Sequence, residues 1–231
     1  MAKVLELSDA AVAHRASELV VAALRSAIES TGHARLAIAG GSATSPLAAI
    51  RRSLGEAWEL TWLTWVDERC VDRDDADSNR GTAYRQGGLD DDDPPGLELP
   101  LWQSGETVEE AIERVEGSLR DDFGDALDVA LLGMGPDGHI ASLFPGHPAL
   151  VNAGERFIAH VSDSPKPPST RMTLTLPFLK KTSHSILIAM GESKRDALER
   201  LIAGDAELPA SALPNLTILT NIKLSDNKAT I

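Results

Sequence analysis

An aspartate and a histidine stand two residues apart in a glycine-rich stretch that runs from Asp128 to Gly146. The stretch begins with an apolar run, Val129–Leu132, which is typical of a strand buried on both faces. Glycines at positions 133, 135 and 138 then allow sharp turns and a close approach of the backbone to a ligand. Open α/β sheets bind their ligands in such loops, at the carboxyl ends of parallel strands. His139 is therefore a candidate general base near neutral pH, and Asp137 or a backbone carbonyl would orient its ring.

The same spacing is compatible with a plain alternative, a tight turn that carries a surface histidine. A serine nucleophile is not indicated, because the chain has no Gly-x-Ser-x-Gly elbow. Cys70 is the one cysteine, and we expect it to be a small buried residue rather than a nucleophile. No spaced set of metal-ligating residues is present, so we expect neither a metal nor another cofactor.

A second candidate site is the turn between the predicted strand 35–39 and the helix that follows it. The turn consists of Gly40, Gly41 and Ser42. Backbone N–H groups and the positive end of a helix dipole favour a phosphate at such a turn. We expect Thr44 or Ser45 to cap the helix, and which of the three hydroxyls meets a ligand stays open.

The predicted strand 61–66 leads into three consecutive charged residues: Asp67, Glu68 and Arg69. Neighbours on an extended segment point to opposite sides, so Asp67 and Arg69 share a side and Glu68 faces away. One interpretation is an Asp–Arg pair that fixes the loop. The other is a polar surface offered to a ligand, for which a guanidinium is well suited because it can bind an anion bidentately.

A third candidate site is the proline-rich segment 164–171. Its three prolines hold Lys166 in an extended loop with little freedom, and Arg171 begins the next predicted strand. Together these two residues would form a cationic pocket. The alternative is a pair of solvated surface charges.

The bulk composition is that of a globular protein, with 42% hydrophobic and 25% charged residues among 231. The sequence shows no linker, so we expect one domain over residues 1–231. A net charge of −13 argues against nucleic acid or an anionic membrane surface as a partner. No apolar run is long enough to span a membrane and no secretory signal is visible, which predicts a cytoplasmic protein.

Strands and helices alternate along the chain, which predicts an α/β fold with a doubly wound, mostly parallel sheet and helices on both faces, a Rossmann-like architecture. The predicted strands are 4–7, 35–39, 61–66, 129–132, 156–162, 171–176, 184–190 and 216–220. The predicted helices are 9–29, 46–54, 107–123 with a capping box from Thr107 to Glu110, and 193–203. The turn-rich, acidic segment 87–105 is expected to be a surface excursion.

The string Gly-Met-Gly-Pro-Asp-Gly-His-Ile-Ala-Ser-Leu-Phe-Pro-Gly at 133–146 resembles the signature loop of the 6-phosphogluconolactonases. These enzymes share a superfamily with the glucosamine-6-phosphate deaminases. The segment from Ser164 to Pro168, and the strand that begins at Arg171, are similar to the pattern of the lactonases. The turn at Gly40 also resembles theirs, although it is longer.

The resemblance implies hydrolysis of 6-phospho-D-glucono-1,5-lactone to 6-phospho-D-gluconate in the oxidative branch of the pentose phosphate pathway. It assigns the substrate phosphate to Arg69, Lys166 and Arg171. His139 would take a proton from the attacking water, and N–H groups of the loop from Gly133 to Gly138 would stabilise the oxyanion. The expected partner is a small sugar phosphate, bound by a monomer or a weak dimer.

Two alternatives remain. A glucosamine-6-phosphate deaminase or isomerase would share the sheet and the loop histidine, but its loop typically continues Ile-Ala-Phe-Asn-Glu-Pro, and the carboxylate of that motif is missing here. A non-catalytic regulator that binds sugar phosphates would keep the cationic pocket, but it would usually carry a DNA-binding segment, and none is visible.

Overall fold

The computed structural model describes residues 2–151 and 154–224, which fold around a seven-stranded parallel sheet. The strands are β1 Lys3–Glu6, β2 Ala34–Ile38, β3 Thr61–Trp65, β4 Asp67–Arg69, β5 Leu97–Leu99, β6 Val129–Gly133, β7 Ile158–Val161, β8 Arg171–Leu174, β9 His184–Ala189 and β10 Leu216–Thr220. The helices are α1 Asp9–Thr31, α2 Leu47–Leu54, α3 Asn79–Arg85, α4 Val108–Asp121, α5 Pro148–Val151, α6 Leu176–Leu179 and α7 Arg195–Ile202.

The order of the strands in the main sheet is β1-β10-β9-β6-β2-β3-β5. From β2 the chain moves outward to β3 and β5, whereas from β6 it moves the other way, through β9 to β10. Right-handed crossovers place the helices of these two halves on opposite faces of the sheet. The predicted doubly wound, mostly parallel architecture is therefore confirmed, and its topological switch point lies between β2 and β6.

The strand ends at this switch point are level with one another. Ile38 of β2 is paired with Trp65 on one side and with Leu131 on the other. At the opposite end of β2, the Arg35 guanidinium and its backbone N–H all donate to the carboxylate of Asp128, at 2.7 to 2.9 Å. This bidentate pair ties the starts of β2 and β6 together, so the loops that follow the two strands open side by side.

The core includes the predicted central strand and one face of the first long helix. The four residues Val129–Leu132 of β6 are buried on both faces of the sheet. Helix α1 turns a stripe of residues spaced four apart toward the sheet: Val12, Ala16, Val20 and Leu24. Each fully buried leucine or valine stabilises the fold by about 1.5–3 kcal/mol relative to its exposed state.

The predicted strands 156–162 and 171–176 are real, but they do not enter the main sheet. They are β7 and β8, which pair antiparallel with each other, and β8 also pairs antiparallel with β4. A parallel crossover needs about a dozen or more residues, and the proline-rich connection between β7 and β8 is shorter than that. The small sheet carries Arg69 and Arg171 opposite each other.

Two local predictions are wrong. The segment 87–105 is not only a surface excursion, because it contains the edge strand β5, and Leu99 and Leu101 are buried. Neither Thr44 nor Ser45 caps α2, since their hydroxyls donate to the carbonyls of Gly41 and Ser42 inside a 3-10 turn. Short hydroxyl side chains often bond to the backbone of their own turn in this way, so they compete with capping. By contrast, the capping box from residue 107 to 110 is confirmed.

Candidate active site

A cavity of about 190 Å³ opens at the topological switch point. The loop after β2 lines it with Gly40, Gly41 and Ser42, and the loop after β6 contributes His139 among others. Ligands bind at this position in open α/β sheets because two neighbouring loops separate there. The two glycine-rich segments singled out in the sequence therefore meet across one crevice.

The backbone of the turn after β2 can be approached closely by neighbouring groups and by a ligand. Gly40 is extended, and a Cβ at this position would lie 2.0 Å from Oδ1 of Asn79. Gly41 has a φ of +62° and begins a 3-10 turn that ends at Thr44. The first N–H groups of a helical turn have no acceptor inside it, so this turn offers backbone donors to an anion. Of the three candidate hydroxyls, Ser42 borders the cavity.

His139 and Asp137 form a dyad. Nδ1 of His139 lies 2.5 Å from Oδ1 of Asp137. An ionised carboxylate only accepts hydrogen bonds, so the contact assigns the proton to Nδ1 and leaves Nε2 with its lone pair. Gly135 makes room for the dyad, because a Cβ there would lie 2.1 Å from the His139 ring and 2.5 Å from the carboxylate of Asp137.

The surroundings of the dyad favour a neutral imidazole. Burial lowers the pKa of His139, while the hydrogen bond and the charge of Asp137 oppose that effect without cancelling it. For Asp137, burial raises the pKa, but the hydrogen bonds from His139 and Lys166 outweigh it, and the pKa is lowered overall. Near neutral pH the site therefore holds an ionised aspartate beside a neutral histidine, which is the form a general base requires.

Asp67 is buried at the edge of the cavity and is held by several donors. Its Oδ2 accepts the hydroxyl of Ser142 at 2.7 Å and lies 3.8 Å from Nη1 of Arg171. The amide of Asn79 donates to the main-chain carbonyl of Asp67 at 2.9 Å and to its Oδ1 at 3.3 Å. These contacts fix the carboxylate and leave it facing the same cavity as His139.

Glu68 faces away from the cavity, as the alternation predicts, and organises the start of α3. It accepts the N–H groups of Arg69, Asn79 and Arg80, each at 2.7 Å, and the hydroxyl of Ser78 at 3.1 Å. Burial raises the pKa of Glu68 even though these backbone donors oppose the increase. The buried carboxyl thereby places Asn79 between Gly40 and Asp67.

Three cationic side chains line the cavity: Arg69, Arg171 and Lys194. Arg69 donates to the carbonyl of Asp77, and its buried Nε has no partner among the described residues. Nε and Nη2 of Arg171 are bound to carbonyls of the proline-rich loop. Burial and the charge of Lys166 lower the pKa of Lys194, and no carboxylate is among the groups that shift it. The cavity is therefore cationic within an acidic protein.

Most of the residues predicted from the sequence line the cavity, and three do not. Those that line it are Gly40, Gly41, Ser42, Asp67, Arg69, His139 and Arg171. Asp137 contacts His139 at Nδ1, and Lys166 contacts Asp137. Gly138 has a φ of +86°, and its N–H donates to the carbonyl of Gly135 at 3.0 Å, so it shapes the loop.

The pair Ser78-Asn79 resembles one in the lactonases that is structural or lines the pocket, so the sequence left the place of Asn79 open, and it missed Lys194 altogether. Lys194 lies in a 3-10 turn directly after β9, at the same edge of the sheet as the other loops. The rule that ligands bind at the carboxyl ends of parallel strands would have found it. Asn79 is next to Ser78 in the sequence, and only the folded position of α3 shows that it reaches the cavity.

In residues 2–151 and 154–224, no three histidine, cysteine or carboxylate side chains are grouped so that they could hold a metal ion. None of the described helices is long and apolar enough to cross a membrane. Burial, with the nearby Glu68 and Glu106, raises the pKa of Cys70 to about 12, so its thiol stays protonated.

Fold and site together define a Rossmann-like α/β protein with a cationic crevice and a dyad of a half-buried histidine and an exposed aspartate. The family model for glucosamine-6-phosphate isomerases/6-phosphogluconolactonase matches residues 7–219. The chain belongs to this family.

Individual relatives agree with this assignment. Over 186 residues the chain is 40% identical to the 6-phosphogluconolactonase of Homo sapiens, covering 77% of this chain and 71% of the human one. A relative from Oryza sativa is 34% identical over 203 residues, and there the match spans only 61% of the relative's length. The crystal structure of 6-phosphogluconolactonase from Thermotoga maritima has the same fold, with a TM-score of 0.77, 24% identity, and coverage of 95% of this chain and 99% of that one.

Proposed function

We propose that the protein hydrolyses 6-phospho-D-glucono-1,5-lactone to 6-phospho-D-gluconate, a step of the oxidative branch of the pentose phosphate pathway. One observation carries the proposal: a neutral His139 borders the same cavity as Arg69, Arg171 and Lys194. A phosphorylated sugar lactone needs a base at one end and cations at the other. The human relative supports the same reaction, because it carries the name 6-phosphogluconolactonase.

The anionic end of the substrate is assigned to the cationic side of the crevice. Lys194 and the backbone donors of the turn from Gly40 to Ser42 bind the phosphate, together with Arg69 and Arg171. Hydrogen bonds between charged groups are about twice as strong as neutral ones, and a guanidinium can bind two phosphate oxygens at once. This grip orients the sugar so that its ester carbon lies near the imidazole, which reduces the entropic cost of the reaction.

His139 is the general base. Its Nε2 takes a proton from a water molecule as the water oxygen attacks C1 of the lactone, and a tetrahedral intermediate forms. The bond between C1 and the ring oxygen then breaks, and the imidazolium returns its proton to that oxygen. The product is an open-chain acid that ionises. Asp137 keeps the proton on Nδ1 and stabilises the transient imidazolium, and assistance of this kind contributes about 10²–10⁴ to the rate.

The backbone N–H groups of Gly135 and Gly138 already donate inside the loop, to the carbonyls of His139 and Gly135. The oxyanion therefore needs other donors. We assign the oxyanion contact to the N–H of Met134, a residue of the same loop that lines the cavity. Donors fixed before the reaction are effective because they need no reorganisation when charge develops.

The test is to follow ring opening of freshly prepared 6-phosphoglucono-δ-lactone against its spontaneous hydrolysis. Ammonia release from glucosamine 6-phosphate and hydrolysis of unphosphorylated glucono-δ-lactone are measured in parallel. The proposal expects fast opening of the phosphorylated lactone, much slower opening of the unphosphorylated one and no ammonia. Ammonia release would identify a deaminase, and binding without turnover would identify a regulator.

A further inference from the structure

Lys166 contacts the dyad but does not line the cavity. Its Nζ is 3.0 Å from Oδ1 of Asp137 and 3.3 Å from Nδ1 of His139, and it is not a lining residue of the cavity. The side chain of Lys166 is 36% exposed, so one side of it faces solvent. The ammonium therefore contacts the dyad at Asp137 and at Nδ1 of His139, whereas the proton-accepting atom of the proposed base is Nε2.

The backbone around Lys166 is held in place. Its carbonyl accepts the hydroxyl of Ser164 at 2.9 Å and Nη2 of Arg171 at 2.9 Å, and its N–H donates to the Ser164 hydroxyl at 3.3 Å. The loop therefore fixes the backbone of Lys166, and less backbone entropy is lost when the ammonium binds Asp137 than for a lysine on a mobile loop.

One carboxylate oxygen of Asp137 is shared by the imidazole and the ammonium. Oδ1 of Asp137 accepts from Nδ1 of His139 and from Nζ of Lys166. The bond to Asp137 assigns the proton to Nδ1, and an ammonium can only donate, so its 3.3 Å contact with Nδ1 is electrostatic rather than a hydrogen bond. The ammonium offsets part of the negative charge of Asp137 that would otherwise favour an imidazolium.

Several charged groups from different elements face the imidazole. Asp137 lies in the same loop, Lys166 comes from the segment before β8, and Asp67 comes from β4. Arg171 and Lys194 line the same cavity from β8 and from the turn after β9. Burial lowers the pKa of His139 most. The two carboxylates raise it, and the ammonium of Lys166 lowers it.

We propose that Lys166 is a positioning residue for the lactonase reaction, holding Asp137 ionised and His139 neutral rather than binding the substrate phosphate. The inference rests on the proposed function, because it gives Lys166 a part in that reaction. A lysine that left Asp137 to bind phosphate would give up its ion pair, and three other cations already line the cavity.

The test compares Lys166→Met with Lys180→Met, which removes the same charge from an exposed position. Titration of the histidine ring signals by NMR, with His139→Gln to identify the signal, gives the pKa of His139 without any assay of activity. In Lys166→Met that pKa should rise by about one pH unit, the effect of losing a cation within about 4 Å. In Lys180→Met it should not change.

Activity gives the second measurement. The acid limb of kcat/KM should move to higher pH in Lys166→Met, with KM at the plateau within about twofold of the parent value. An unchanged pKa of His139 overturns the inference, as does a KM raised tenfold or more, which would make Lys166 a phosphate ligand. If the parent protein does not open the lactone, the proposed function fails, and the titration still decides whether Lys166 controls the imidazole.

Discussion

The imidazole of His139 lies against the ring of Phe144, with 4.5 Å between the centroids and 35° between the planes. Phe144 is buried and also lies 5.9 Å from the guanidinium carbon of Arg171. One aromatic ring therefore touches both the proposed base and a proposed phosphate ligand. It also shields the imidazole from water, which disfavours the imidazolium and lowers the pKa of His139.

Replacement of this ring should change the pH dependence. In Phe144→Leu the imidazole gains water, so the pKa of His139 should rise toward its ordinary value and the acid limb of kcat/KM should move to higher pH. Phe178→Leu is the matched control, since Phe178 packs on Phe157 at 4.9 Å and 35°, with no ionisable partner in that pair. Equal pH profiles in the two variants would contradict the role of Phe144.

Removal of the base should act on turnover rather than on binding. His139→Ala is expected to lower kcat by about 10²–10⁴ while KM changes little, because the base acts only in the transition state. Some rate should remain, since δ-lactones also open spontaneously. The control is His184→Ala, an exposed histidine at the start of β9. Near-normal turnover in His139→Ala would refute the catalytic assignment.

Lys194 should affect the binding of the substrate phosphate and not the opening of the lactone ring. Lys194→Met is expected to raise KM for the phosphorylated lactone by about tenfold or more, since a hydrogen bond to a charged group contributes about 1.5–3 kcal/mol. The rate with unphosphorylated glucono-δ-lactone should stay the same. A loss of equal size with both lactones would show that Lys194 does not recognise the phosphate.

Glu68 should stabilise the folded protein, and with it the site. In Glu68→Gln one side-chain oxygen is replaced by a donor that faces a backbone N–H, so the free energy of unfolding near pH 7 should fall by about 1–3 kcal/mol. Urea unfolding measures this change. Glu98→Gln is a less buried control, whose carboxylate pairs with Arg80 and accepts from Tyr84.

The pH dependence of this effect has a definite sign. The pKa of Glu68 is raised in the folded state, so the folded protein binds this proton more tightly than the unfolded chain does. The stability that protonation of Glu68 contributes is fully present below the ordinary pKa of a glutamate, and it decreases as the pH rises through the raised pKa of the folded state. The parent protein should therefore gain stability relative to Glu68→Gln as the pH falls from neutral to about 4.5. A difference that stays constant with pH would contradict this titration.

The sequence determined the features that depend on neighbouring residues. The continuous apolar run of β6 predicts a central strand because only a strand covered on both faces can bury all of its side chains. The glycines beside His139 predict the bend in the loop, and the alternation at Asp67 and Arg69 predicts which side each faces. These properties come from backbone sterics and from side-chain period, so a short stretch of chain is enough to predict them.

The tertiary structure decided which distant residues meet. The order of the strands brings Gly40 beside Asn79 and places Lys194 at the same cavity, although these residues are far apart in the sequence. It also placed Lys166 on Asp137, a contact that the charge and proline content of its loop do not predict. Local sequence limits where a side chain can point, but contacts across the sheet follow from topology and register, which arise only when the whole core packs.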